Sequence, residues 1–284
     1  MIVKKISLVI VLIIFSNFLY AQQKISVSSP NKQLNFSFVV VEGHPGYSVD
    51  YKNKNLVAHS TLGLTFINDD FFGNDIKTGL IKLSDGIEQY ILPAGKTSKV
   101  NDAYREAVIP MQEGKGDKRL VNLRVRVFDD GIGFRYELPE QNAWQNYTLT
   151  DENTSFNLIG NPTARVAFLE NFTTSHEHLY NVMPLADIKN DTLMDMPVLF
   201  EFPGKIYMAI TEANLVDYAG MSLIKRNGIL TSQLSPLPGQ HEIKVKATLP
   251  HHTPWRVMMI SDRAGALIES NILTDLAEPS KIQD

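Results

Sequence analysis

The sequence predicts an all-β fold built from antiparallel sheets, and three observations support this prediction. Apolar and polar residues alternate along most of the 284-residue chain with the period of two that is typical of half-buried strands. Glycine, proline, asparagine and aspartate separate the alternating stretches, as turn residues do. Helical periodicity is confined to one or two short segments. Many short strands with turns between them are typical of a sandwich of sheets.

The clearest strand pair covers residues 121–138. In its first arm, 121–128, the odd positions are apolar and the even positions up to 126 are polar. Asp129-Asp130-Gly131 then predicts a tight turn, and the second arm, 132–138, alternates in the same way. We therefore expect a hairpin with one buried face. The residues expected in the core are Val125, Val127, Phe134 and Tyr136.

The remaining elements are shorter and are predicted from the same patterns. Further strands are expected at 34–38, 46–51, 166–169, 198–202, 206–211, 229–234, 243–248 and 255–261. A short helix is expected over 262–270, with Asp262 as its N-terminal cap. One helical turn is expected over 211–215. No change of composition marks a second folded domain.

The first 21 residues have the pattern of a secretory signal peptide. Lys4 and Lys5 precede an apolar run over 6–15, and Ala21 ends a region typical of signal-peptide cleavage. The apolar run is too short to span a bilayer comfortably, so cleavage is favoured over a membrane anchor. An exported chain with no cysteine is typical of the periplasm of a Gram-negative bacterium. After cleavage we expect no membrane association.

Composition excludes several kinds of site. The absence of cysteine excludes disulfides, thiolate metal sites and cysteine nucleophiles. The formal net charge is -4, and the absence of any Lys/Arg cluster argues against a nucleic-acid partner. No pair of carboxylates can be selected from sequence spacing as a general acid and base. Composition and spacing therefore select no catalytic residue and leave the substrate-binding residues unknown.

The densest polar cluster is His176-Glu177-His178. On a strand, the two imidazoles would point to one side and could contribute to a metal site. Because the spacing supplies no further ligands, a solvated loop is the favoured interpretation. Glu177 by itself is a hard oxygen donor of the kind that calcium prefers.

Two other groups of residues could contact a sugar. The polar face of the 121–138 hairpin could grip hydroxyls or a carboxylate, but cross-strand ion pairs are the favoured interpretation. The residues of that face are Arg124, Arg126, Arg135 and Glu137. Trp144 lies in a polar stretch and is the better surface candidate for stacking on a sugar ring, whereas Trp255 begins an apolar strand and is expected in the core.

Five stretches, in this order and spacing, resemble the N-terminal domain of glycoside hydrolase family 97. This is the family of periplasmic bacterial α-glucosidases and α-galactosidases. The stretches are 60–64 (STLGL), 125–137 (VRVFDDGIGFRYE), 212–218 (EANLVDY), 253–256 (TPWR) and 276–282 (LAEPSKI).

The resemblance implies a large antiparallel β-super-sandwich, similar to the galactose-mutarotase fold, with one or two short helices. It implies a domain over 22–275, followed at 276–284 by the beginning of a linker to a catalytic (β/α)8 barrel that this sequence does not contain. In the family, several glutamates hold a calcium ion in the active site, and one of them comes from this domain. The matching position here is Glu177.

The expected function is therefore that of a carbohydrate-binding, non-catalytic domain of an α-glycosidase. It would supply one wall and one calcium ligand of a site for oligosaccharides, with calcium bound only when a catalytic barrel, encoded separately, completes the site. Two alternatives stay open. One is a stand-alone mutarotase-like aldose epimerase, with a glutamate and a histidine as base and acid. The other is a structural or adhesive periplasmic protein without a sugar site.

Overall fold

The computed structural model describes residues 24–279, so the predicted signal peptide and the last five residues of the predicted linker lie outside the described residues. Within that range the chain forms 24 strands and two short α-helices. The strands of the first half are β1 (Ile25–Ser28), β2 (Leu34–Val41), β3 (His44–Tyr51), β4 (Lys54–Thr61), β5 (Leu64–Phe66), β6 (Asp70–Phe72), β7 (Ile76–Thr78), β8 (Lys82–Ile91), β9 (Lys99–Glu113), β10 (Leu120–Phe128), β11 (Gly131–Leu138) and β12 (Asn146–Glu152).

The strands of the second half are β13 (Ser155–Phe156), β14 (Thr163–Val166), β15 (Phe168–Leu169), β16 (Asn181–Pro184), β17 (Leu193–Met194), β18 (Val198–Phe202), β19 (Ile206–Ala213), β20 (Met221–Arg226), β21 (Ile229–Leu234), β22 (Val245–Thr248), β23 (His251–His252) and β24 (Trp255–Ser261). The helices, α1 (Ala264–Glu269) and α2 (Ile272–Asp275), follow the last strand. Single 3-10 turns occur at Ile67–Asp69 and Leu185–Asp187.

The strands form four sheets in which neighbouring strands pair antiparallel, which confirms the predicted all-β fold. The largest sheet has the order β16-β14-β18-β19-β24-β11-β10-β9-β7, with β8 also on β9 and β23 also on β11. One four-stranded sheet has the order β1-β2-β3-β4 and another β22-β12-β5-β6. A five-stranded sheet has the order β13-β21-β20-β17-β15.

The β10–β11 hairpin lies in the middle of the largest sheet, with Val125 opposite Phe134. The four side chains predicted for the core there are buried. The Phe134 ring lies 5.9 Å from the ring of Phe36 and 5.0 Å from that of Tyr47, measured between centroids. Because Phe36 and Tyr47 belong to β2 and β3, this aromatic cluster joins the first sheet to the largest one.

The two helices lie on the outer face of the largest sheet, over the two glycines of β11. A Cβ added at Gly131 would come within 2.7 Å of Ile272 Cδ1, and one added at Gly133 within 2.5 Å of Leu276 Cδ1. Glycine is needed at both positions because the helical segment approaches the strand so closely. The helices therefore cover one part of the outer face and leave the rest uncovered.

Some sequence predictions of local structure are wrong. The helix expected over 262–270 is present, but Asp262 does not cap it; its carboxylate accepts a hydrogen bond from Lys52 Nζ at 2.6 Å. The turn of helix expected over 211–215 does not form, because β19 continues to Ala213, which pairs with Trp255. The strand expected over 166–169 is displaced and divided between β14 and β15.

Candidate functional site: the Glu177 loop and an adjoining apolar groove

The His176-Glu177-His178 cluster lies in an exposed loop between β15 and β16, so the alternative that places it on a strand is wrong. His176 Nδ1 lies 2.9 Å from Asp195 Oδ2. The Glu177 backbone N–H donates to Ser175 Oγ at 3.2 Å. Within residues 24–279 the Glu177 carboxylate has no hydrogen-bond or ion-pair partner, so it is available to a ligand from outside.

The side chains of this loop offer a calcium ion only part of the oxygen ligands that it needs. Calcium takes six to eight oxygen ligands, and Glu177 supplies one or two carboxylate oxygens. Imidazole nitrogens, as in His176 and His178, are poor ligands for so hard an ion. Across residues 24–279, no three His, Asp or Glu side chains gather closely enough to hold a metal ion. Further ligands would have to come from outside this part of the chain.

A broad apolar groove begins at the end of the Glu177 loop. Its floor is a row of register partners that crosses five adjacent strands of the largest sheet, from β16 to β24. The row consists of Val182, Arg165, Leu199, Ala209 and Met259. The two helices form the opposite wall, and the cavity volume is about 950 Å³. The groove is therefore one part of the outer face that the helices do not cover.

Large apolar side chains that line the groove are exposed to solvent. Tyr180, the last residue of the Glu177 loop, is 56% exposed, Val182 is 61% exposed and Ile268 of α1 is 76% exposed. Monomeric soluble proteins rarely leave contiguous apolar patches of this kind uncovered. The groove and the Glu177 loop therefore share one side of the molecule, and that side has the character of an interface.

The arginine-rich face of the hairpin is a set of cross-strand ion pairs, as predicted. Arg124 donates to Glu106 at 2.5 Å and to Glu137 at 2.7 Å. Arg126 Nε donates to Glu106 at 2.8 Å, and Arg135 Nη2 donates to Glu137 at 2.7 Å. Burial acts to raise the pKa of the Glu137 carboxyl, but the hydrogen bond from Arg124 and the charge of Arg135 hold it below its usual range.

A buried charge cluster, which sequence reasoning missed, lies at the centre of the molecule. The guanidinium of Arg256 is fully buried and donates to both carboxylate oxygens of Glu152, at 2.8 and 2.6 Å, and to Glu212 at 2.6 Å. The Tyr218 hydroxyl donates to Glu152 at 3.2 Å. Burial acts to lower the pKa of Arg256, but the charge of Glu152 overrides it and the pKa lies above its ordinary value. The available sequence signal was an arginine within the apolar strand 255–261.

Each of the five stretches of the family resemblance contributes a residue to the hydrogen-bond network of this cluster or to the contact between Leu276 and Gly133. Tyr136 of the second stretch shares a hydrogen bond with Thr154, which in turn donates to Glu152. The backbone N–H of Gly63, in the first stretch, donates to the Tyr136 hydroxyl at 3.1 Å. The third and fourth stretches supply Glu212 and Arg256, and the fifth supplies Leu276 over Gly133. These motif residues therefore hold the fold together.

The two tryptophans have different environments. Trp255 is 2% exposed, which confirms its predicted place in the core. Trp144 is half-buried, lies edge-on to Phe66 at 5.2 Å between ring centroids, and lines a cleft of about 460 Å³. Its predicted role in stacking on a sugar stays a prediction. Among residues 24–279, no helix is long and apolar enough to cross a membrane.

Comparison with known sequences identifies the family. The sequence model described as Glycosyl-hydrolase 97 N-terminal matches residues 27–279. A retaining alpha-galactosidase of Bacteroides thetaiotaomicron is 20% identical over 308 aligned positions, which cover 99% of this chain and 45% of that protein. A probable retaining alpha-galactosidase of Streptomyces bingchenggensis is 32% identical over 172 residues, 60% of this chain and 25% of that protein. The chain thus spans less than half the length of either relative.

Comparison with solved structures agrees. A glycoside hydrolase family 97 enzyme of Pseudoalteromonas sp. strain K8, solved in complexes with panose and with acarbose, superposes with a TM-score of 0.85 and 30% identity. The match covers 92% of this chain and 39% of that one. A beta-arabinopyranosidase shares the fold, with a TM-score of 0.76 and 24% identity. The family match over residues 27–279, together with these structural neighbours, shows that the chain belongs to glycoside hydrolase family 97 and carries its N-terminal domain.

Proposed function

We propose that this chain is a non-catalytic, carbohydrate-associated domain of an α-glycosidase, either an α-glucosidase or an α-galactosidase. It supplies one wall and one calcium ligand, Glu177, to an active site that a catalytic barrel completes. The observation that carries the proposal is the position of Glu177. Its carboxylate has no partner within residues 24–279 and stands beside an apolar groove that is open to solvent.

The occupant of the groove in this proposal is the catalytic domain. The match to the Pseudoalteromonas enzyme covers 39% of that protein, so the relative contains more than twice as much chain as the matched region. An apolar strip next to a free carboxylate fits a contact that excludes water and also shares a metal ion. The reaction of the assembled site is the hydrolysis of α-glycosidic bonds in small oligosaccharides, in agreement with the panose and acarbose complexes of the relative.

Glu177 acts as an oxygen donor in this arrangement. A bound calcium ion supplies a fixed positive charge near the substrate. The Glu177 loop ends at Tyr180, which lines the groove. The catalytic domain, seated on the groove, brings the remaining oxygen ligands to the Glu177 carboxylate. The chain alone provides too few of them, and we expect it to bind calcium only in the millimolar range or more weakly.

Calcium titration with and without a catalytic domain tests the proposal. The domain can be taken from the Pseudoalteromonas enzyme, and calorimetry measures both calcium affinity and association. We expect the mixture to bind calcium at least tenfold more tightly than the chain alone, and Glu177→Gln to remove most of that gain. Glu170→Gln is the matched control, because Glu170 is also exposed at the start of the same loop. Equal effects of the two substitutions would contradict the role of Glu177.

Export to the periplasm is part of the same proposal. The support is the pattern of Lys4, Lys5, the apolar run 6–15 and Ala21. Mass spectrometry of a periplasmic fraction should find the mature N-terminus at Gln22. A retained Met1 in the exported protein would contradict this assignment.

A further inference from the structure

A second cleft lies between the end of β8 and the segment that follows α2. Its volume is about 550 Å³, within the range of sites for small molecules. Tyr90, Asn214, Trp255 and Glu278 are among the residues that line it. The cleft adjoins the apolar groove, since Leu92 and Thr274 line both, but the function proposed above uses neither Trp255 nor Asn214.

Two buried hydrogen-bond donors in this cleft have no partner. They are Trp255 Nε1 and Asn214 Nδ2. An unsatisfied buried donor costs about 1–3 kcal/mol, and native proteins rarely leave one without a partner. Two in a single cleft therefore indicate that something else accepts their hydrogens.

The backbone brings these two donors together. Trp255 is the register partner of Ala213, and Asn214 is the next residue after Ala213. Both side chains therefore leave the same end of the β19–β24 pair. The Asn214 amide oxygen accepts a hydrogen bond from the backbone N–H of Glu278 at 3.4 Å, so its Nδ2 group remains for another partner.

The charges around the cleft favour a neutral ligand over an anion. Arg126 and Arg135 line it, but Arg126 donates to Glu88 at 2.9 Å and Arg135 to Glu137 at 2.7 Å. Three acidic side chains also line the cleft, so it carries no excess of positive charge. They are Glu88, Asp275 and Glu278. A hydroxyl group can accept from the indole and amide N–H groups and donate to a carboxylate, whereas an ionised carboxylate or phosphate group can only accept.

The aromatic contacts determine how such a ligand would be held. The Arg135 guanidinium lies 4.5 Å from the centroid of the Trp255 ring and covers one of its faces. Recognition at Trp255 therefore uses the indole N–H at the edge of the ring. We propose that this cleft is a binding site for a neutral polyhydroxylated molecule of monosaccharide size, held by hydrogen bonds from Trp255 Nε1 and Asn214 Nδ2.

The chain contains two tryptophans, which makes a direct test simple. Nuclear magnetic resonance of the ¹⁵N-labelled chain shows one indole N–H signal for each, and Trp144→Phe assigns them. The probes are D-galactose, D-glucose and, as an anionic comparison, sodium D-glucuronate. We expect a neutral sugar to shift the Trp255 signal at millimolar concentration; any shift of the Trp144 signal reports the separate cleft that Trp144 lines.

Two matched substitutions make the test specific. Asn214→Asp keeps the side-chain shape and the acceptor for Glu278, but replaces the free donor by an acceptor. We expect it to weaken sugar binding about tenfold, the effect of losing one hydrogen bond to a buried donor. Asn227→Asp is the control, because Asn227 has a similar left-handed backbone (φ 50° against 57°) and is exposed away from the cleft.

Three outcomes would overturn the proposal. The first is no movement of the Trp255 signal with either neutral sugar, which would leave ordered water or further chain as the acceptor. The second is a response to glucuronate alone, which would contradict the neutral class of ligand. The third is equal weakening by Asn214→Asp and Asn227→Asp.

Discussion

At the scale of single residues, the buried cluster of Arg256 and its two carboxylate partners is central to the fold. A charge without access to water is tolerated only when it is paired and hydrogen-bonded, and Arg256 meets both conditions through Glu152 and Glu212. The cluster joins β12, β19 and β24, which belong to two different sheets. Its role is therefore to fix how the sheets meet.

Removing one partner of this cluster should destabilise the protein strongly. We expect Glu152→Gln to lower the free energy of unfolding by about 3–5 kcal/mol, because it leaves a buried guanidinium with an incomplete set of charges. Denaturant melts measure the change. Glu201→Gln is the control: its pair with Arg165 is partly exposed, and its loss should cost less than about 1 kcal/mol. Equal losses would show that burial does not set the strength of the Arg256 cluster.

Asp275 should make stability depend on pH. Burial, together with the charges of Asp102 and Asp130, raises the pKa of its carboxyl to about 7, although the hydrogen bond from Tyr90 acts in the opposite direction. The folded state thus holds this proton more tightly than the unfolded state does. Stability from this group is present at acidic pH and is lost as pH rises towards 7.

Asp275→Asn tests that dependence, since asparagine keeps an acceptor for Tyr90 and has no proton to lose. We expect the stability of the variant relative to the natural protein to rise by roughly 3 kcal/mol between pH 5 and pH 8, because the two pH units below the raised pKa each contribute about 1.4 kcal/mol. Urea melts across this range measure the difference. A stability difference that stays constant with pH would contradict the raised pKa.

At the scale of elements, the β10–β11 hairpin is the best example of structure that the sequence predicts. Strict alternation over both arms placed one face in the core, and a one-residue error in register would have reversed it. The strands at 198–202, 229–234 and 255–261 were predicted with the bounds that the structure shows. Their apolar residues and turn signals are local, so local reasoning was sufficient.

The hairpin also gives a quantitative prediction. Phe134 is fully buried among aromatic rings from other strands. Phe134→Ala should lower the free energy of unfolding by about 3–5 kcal/mol through lost burial and the cavity left behind. Leu83→Ala is the control, because Leu83 is 64% exposed on β8 and should change stability by less than about 0.5 kcal/mol. A loss below about 1 kcal/mol for Phe134→Ala would contradict the packing described here.

Elements whose limits depend on distant partners were predicted less well. The segment 211–215 has helical residues, yet β19 extends to Ala213 because β24 offers a paired edge. Asp262 has the chemistry of a helix cap, but its carboxylate instead forms an ion pair with Lys52, whose Nζ lies 2.6 Å from Asp262 Oδ2. In both cases a contact from elsewhere in the chain overrides the local preference, and single-sequence patterns carry no information about it.

At the scale of the whole molecule, the candidate site was predicted only through the family resemblance. Composition and spacing left Glu177 as one exposed carboxylate among many. The groove next to the Glu177 loop could not be predicted from the sequence, because its floor combines residues from five strands that are distant along the chain. The same holds for the cleft at Trp255 and Asn214, where register and not sequence distance brings the donors together.

Under the proposed function, the chain contributes to an active site without containing all of it. In the proposed function, Glu177 is one ligand of a shared calcium site, and the catalytic domain covers the exposed groove next to its loop. Sequence spacing selects no pair of carboxylates that could act across one glycosidic bond. The chain should therefore have no hydrolytic activity by itself, even when calcium is abundant.

Hydrolysis by the purified chain tests this central claim most directly. Release of nitrophenol from nitrophenyl α-glucoside and α-galactoside is measured with calcium and with a chelator, for the natural sequence and for Glu177→Gln. We expect rates equal to that of buffer in every case. Calcium-dependent release by the natural chain that Glu177→Gln abolishes would contradict it, because it would place a complete active site within these 284 residues.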